Sequence, residues 1–89
     1  MNCIQIVVTG RVQGVSFRAY TKQKAEELGL TGTVRNLQDG SVEIIACGPD
    51  ASLAALELWA SKSPKLARVD NLKVQRLPSS PYNGFNILK

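Results

Sequence analysis

The sequence contains no histidine and only two cysteines, Cys3 and Cys47. Without imidazole, and with two thiols far apart along the chain, it has no ligand set for a structural or catalytic zinc ion. The same shortage removes the usual base for a serine or cysteine nucleophile. A thiolate phosphatase would need a phosphate-gripping arginine where Thr9 or Leu53 stands, so that chemistry is excluded too. No apolar run approaches the ~20 residues of a membrane span. The opening MNCIQIVV lacks the basic start and small-residue cleavage site of a secretory leader. A soluble, cytoplasmic protein is expected. No run of like charge occurs either: eleven Lys and Arg against seven Asp and Glu give a net charge of +4, scattered along the chain. That excess favours a small anion over nucleic acid, whose phosphate backbone is usually met by a stripe of basic residues.

What is present reads as one domain over residues 1–89, with a single core. Cys3 to Thr9 alternates Ile4, Ile6 and Val8 with Cys3, Gln5 and Thr9, which predicts a first strand. Phe17, Thr21, Ala25 and Leu28 recur at helical spacing, and Gly29 supplies a stop. Thr31–Leu37 and Ser41–Cys47 flank the turn QDG and predict a hairpin. Gly48, Pro49 and Asp50 break the chain and cap a second helix from Ala51 to about Ser61, bounded by Pro64. Val69–Leu77 reads as strand four, and Phe85 with Ile87 as a short fifth strand at an edge. The order βαββαβ predicts an α+β fold, the ferredoxin-like split βαβ sandwich. Its sheet is expected to be antiparallel, with both helices on one face and strand one beside strand three at the centre.

Register follows from the turn. If QDG is the whole loop, Asn36 pairs with Val42 and Val34 with Ile44, so Asn36 points to the helix side at the rim of the sheet. Strand one then pairs Ile4, Ile6 and Val8 with Ala46, Ile44 and Val42, which sets Cys3 opposite Cys47 on the outer face. A Cys3–Cys47 disulfide is expected in the oxidised protein, as a staple rather than a catalytic element.

The same rim receives GRVQGVSFR, Gly10 to Arg18, which leads from strand one into helix one. Gly10 and Gly14 remove side chains where the backbone must curl, and the helix start behind them can aim N–H groups at an anion. Arg18 in the first helical turn opposes the helix dipole, a penalty that a bound phosphate would reverse. Spacing alone leaves two readings open, an anion cradle or a plain turn with Arg18 in water.

These residues carry a resemblance. GRVQGVSFR resembles the first signature of the acylphosphatase family and GTVRNLQDGSVEI, Gly32 to Ile44, resembles its second. Order and spacing agree, so the likeness covers nearly the whole chain. It implies metal-independent hydrolysis of the carboxyl-phosphate bond, with no cofactor and no metal site. It implies a phosphate loop of Arg11, Val12, Gln13, Gly14, Val15, Ser16 and Phe17, a catalytic and phosphate-binding Arg18, and a catalytic Asn36. The expected ligands are a small acyl phosphate and inorganic phosphate or a similar anion, for a monomer that meets neither nucleic acid nor membrane. Two rivals share the strand order: an RNA-binding module, which would need base-stacking aromatics that SVEIIACG lacks, and a noncatalytic domain used for protein contacts or as part of a larger carbamoyl-transfer enzyme.

Overall fold

The computed structural model describes residues 2–14, 16–62 and 67–88. The expectations for Val15 and Pro64 therefore lie outside the described residues. The elements are β1 (Asn2–Arg11), α1 (Phe17–Glu27), β2 (Thr31–Asn36), β3 (Val42–Gly48), α2 (Asp50–Ser61), β4 (Arg68–Leu77) and β5 (Phe85–Ile87). They build one five-stranded sheet in the order β4-β1-β3-β2-β5.

Alternation explains the layers. Ile4, Ile6 and Val8 pair with Ala46, Ile44 and Val42, and Val34 pairs with Ile44. These residues form a core with Phe17 and Ala25 of α1, Leu53 and Leu56 of α2, and Phe85 of β5. Both helices cover this one face, and the rings of Phe17 and Trp59 stack between them at 5.9 Å. Asp50 is the first residue of α2 rather than its cap; Pro49 holds that position and makes no side-chain capping bond.

Two features depart from expectation. The sheet is mixed rather than antiparallel, because β5 runs parallel to β2, with Gly32 beside Phe85 and Val34 beside Ile87. The reason lies in the connection. One row across the sheet runs Leu77, Cys3, Cys47, Thr31. The chain leaves β4 at Leu77 and follows this row to the far edge, where the Gly32 N–H donates to the Gly84 carbonyl at 3.0 Å. It arrives at the start of β2 and can only run the same way.

The second departure is at β1, which continues to Arg11 instead of ending at Thr9. A bulge between Thr9 and Gly10 shifts the register against β4, so that Gly10 pairs with Val69 and Arg11 with Arg68. A Cβ on Gly10 would stand 2.2 Å from the Arg68 carbonyl oxygen, which leaves room for hydrogen alone. Gly10 thus belongs to a strand, not to the loop.

On the outer face Cys3 and Cys47 form the expected disulfide, with Cα atoms 4.0 Å apart. Both are buried because the 78–84 connection passes over them, with the Ser80 carbonyl 3.9 Å from the Cys3 sulfur. Farther along that face Glu43 accepts from Gln5 Nε2 and Arg35 Nε, each at 2.8 Å.

Candidate active site

β1, β2 and β5 all point toward one rim of the sheet, where α1 begins. A cavity of about 390 Å3 opens there. Of the residues expected to act, Val12, Gln13, Gly14, Ser16, Phe17, Arg18 and Asn36 line it, joined by Ala19 and Ile87. Arg11 does not. As the exposed last residue of β1, it is carried away on the strand that the bulge prolongs.

Two of the loop's described residues are left-handed. Gly14 has φ 75°, and open space where a Cβ would be, so conformation rather than crowding calls for glycine there. Ser16 has φ 62°, the only positive φ of a non-glycine among the described residues. That costs an L-residue about 1–2 kcal/mol, placed where the chain turns into α1. No side chain caps α1, and its first turn carries no acid. The first intrahelical bond joins the Tyr20 N–H to the Ser16 carbonyl at 3.1 Å. The N–H groups of Phe17, Arg18 and Ala19 precede that bond, at the positive end of the helix dipole.

Arg18 is half-buried at the cavity wall, and its Nη1 donates to the Leu88 carbonyl at 3.2 Å. This bond uses one of the guanidinium's five N–H donors and fixes the plane of the rest. Asn36 ends β2 opposite Val42, on the helix-facing side that the turn register requires. Among the described residues the lining contains one cation, Arg18, the amides of Gln13 and Asn36, and no carboxylate, thiol or imidazole. Among the described residues, no group of three or more His, Cys, Asp or Glu is placed to hold a metal ion.

Sequence reasoning missed three contributions. The Gln13 side chain does not reach for a ligand: its Nε2 donates to the Leu37 and Ser41 carbonyls at 3.0 and 2.9 Å. Ile87 and the Leu88 carbonyl come to the rim through β5. Their position depends on which edge receives the last strand, and no local pattern in the sequence encodes that.

The architecture defines an α+β domain of the split βαβ type whose helix N-terminus, arginine and amide converge on a cavity suited to an anion. Comparison with known proteins gives the family. The acylphosphatase model matches residues 4–87. A protein of Marinobacter nauticus named acylphosphatase is 51% identical over 80 residues, covering 90% of this chain and 87% of that one. The solved acylphosphatase of Coxiella burnetii superposes with a TM-score of 0.93 at 41% identity, over 98% of this chain and 92% of that chain. That of Bacillus subtilis does so with a TM-score of 0.95 at 33% identity, over 100% of each chain. The chain belongs to the acylphosphatase family.

Proposed function

We propose that residues 1–89 act as one domain that hydrolyses small acyl phosphates to a carboxylate and inorganic phosphate without a metal ion. The observation that carries this reading is the convergence of Arg18, the start of α1 and Asn36 on one cavity. Arg18 and main-chain N–H groups of the loop would hold the phosphoryl oxygens and stabilise the charge that develops on them. Asn36 would orient a water for in-line attack on phosphorus. As the P–O bond to the acyl group breaks, its electron pair leaves on a carboxylate whose conjugate acid has a pKa near ~4, so no general acid is required. The neutral amide of Asn36 is too weak a base to keep the water's proton, which passes to a phosphoryl oxygen.

The family membership supports the substrate class, and the absence of histidine is no obstacle to this chemistry. RNA binding is disfavoured by the outer face. There β3 presents Glu43, Ile45 and Cys47, with no aromatic on which a base could stack. No helix among the described residues is long and apolar enough to cross a membrane. A cytoplasmic location and a monomeric state belong to the same proposal and are read by fractionation and sedimentation. The deciding experiment is release of phosphate from acetyl phosphate by purified protein in excess chelator. Sustained turnover is expected, with phosphate monoesters poor substrates because their alkoxide leaving group would need an acid. Activity lost on chelation and restored by a divalent metal would overturn the mechanism.

A further inference from the structure

We propose that Gln13 is a positioning residue, which holds the phosphate loop at a set distance from Asn36 and affects turnover through Asn36 rather than by touching phosphate. The proposal rests on the hydrolase reading above. Its starting point is where the loop loses support. β1 pairs with β3 only as far as Val8 opposite Val42. Beyond the bulge at Gly10 the strand's remaining pairs are with β4, on the side away from β2. The chain that follows would reach the cavity with no tie to the strand bearing Asn36.

Gln13 restores that tie. Both hydrogens of its amide nitrogen are taken up, one by the Leu37 carbonyl at 3.0 Å and one by the Ser41 carbonyl at 2.9 Å. These carbonyls belong to the pair that closes the β2–β3 hairpin, where the Leu37 N–H donates to the Ser41 carbonyl at 2.8 Å. Leu37 is the residue after Asn36. The anchor is itself held: the Gly40 N–H donates to the Leu37 carbonyl at 3.2 Å, and Asp39 Oδ1 accepts from the Ser41 N–H at 3.0 Å. Ser41 is buried. With both amide hydrogens engaged, the side chain has no donor left for an anion, and its oxygen would repel one. Its effect must therefore be on geometry. A displacement of about 1 Å between attacking water and phosphorus can lower a rate by ~10²-fold, whereas binding of phosphate to Arg18 and the loop tolerates it.

The test uses Gln13→Met, which keeps length without donors, and Gln13→Glu, which turns an acceptor toward two carbonyls. Turnover of acetyl phosphate per folded molecule and inhibition by inorganic phosphate are measured in the parent and in an Asn36→Ala background. The expected result is a fall of about tenfold or more in kcat with phosphate inhibition changed by less than about twofold. In the Asn36→Ala background the same substitutions should alter kcat by less than about twofold, since the group they position is gone. Should Gln13→Met not fold, Gln13→Asn, which keeps an amide but shortens its reach, carries the same comparison. Unchanged kcat, a parallel loss of phosphate affinity, or a full additional loss in the Asn36→Ala background would each overturn the proposal while leaving an active parent. A parent that releases no phosphate would instead overturn the hydrolase reading, and this proposal with it.

Discussion

Arg18 and Asn36 differ in what they can offer a phosphoryl group. A guanidinium binds its oxygens before, during and after reaction, whereas a neutral amide holds a water that matters only during attack. Arg18→Ala should therefore weaken inhibition by phosphate and lower turnover together. Asn36→Ala should lower kcat by ~10²–10³ with phosphate inhibition little changed. Steady-state kinetics with phosphate as competitor separate the two, and an Asn36→Ala variant as active as the parent would remove the water-orienting role. Asp39 makes a different residue-level prediction. The Ser41 hydroxyl, and after it the Ser41 N–H, hold its carboxyl below the ordinary value of 3.8. A carboxyl with a lower pKa folded than unfolded stabilises the fold while ionised. That contribution is full above 3.8 and is lost as pH falls through the lowered folded value. Asp39→Asn should thus lower the denaturant midpoint relative to the parent more at about pH 6 than at about pH 3. An equal difference at both pH values would show that the carboxylate does not contribute in this way.

At the level of elements, β1 is the strand that serves two neighbours and then parts from one of them. Its bulge turns the last two residues toward β4 and leaves the following loop free to curl over the cavity. Gly10 makes this possible, with φ 130° and the Arg68 carbonyl and Asp70 nitrogen where a Cβ would be. Both obstacles are backbone, so neither can rotate away. Gly10→Ala is expected to destabilise the protein by about 2 kcal/mol or more, measured by denaturant unfolding. A change under about 0.5 kcal/mol would mean that the bulge can relax. The alternation of Ile4, Ile6 and Val8 made the strand and its inward face legible, but not its end. Gly10 and Arg11 carry no apolar signal, and a bulge follows from the partner strand rather than from local pattern. The hairpin was easier, because a short turn fixes register, and register places Asn36 opposite Val42.

For the whole molecule, the connection between β4 and β5 joins opposite edges of the sheet and closes the outer face over the Cys3–Cys47 bond. The disulfide spans 44 residues of chain, and such a bond typically contributes about 2–4 kcal/mol of stabilisation. Reduction, or a Cys3→Ala/Cys47→Ala double replacement, should lower the melting temperature by roughly 10–20 °C. Activity measured well below the melt should be retained, since the bond lies at the opposite end of β1 from the cavity. Thiol counting under denaturing, nonreducing conditions should find none free in the oxidised protein. Two free thiols would remove the staple from the account.

The sequence by itself determined the order of elements, the inward face of each central strand, the opposition of Cys3 and Cys47, and the meeting of the glycine loop, Arg18 and Asn36 at one rim. These are consequences of period, turn length and the handedness of crossovers, which short stretches of chain encode. Only the tertiary structure decided that β1 outlasts its expected end, that Arg11 leaves the cavity and that β5 runs parallel to β2. It alone brought the Leu88 carbonyl to Arg18 and Gln13 to the hairpin. Each of these depends on which distant backbone arrives alongside. A hydrogen bond to a main-chain carbonyl leaves no mark on the residue that supplies it, since every residue has one.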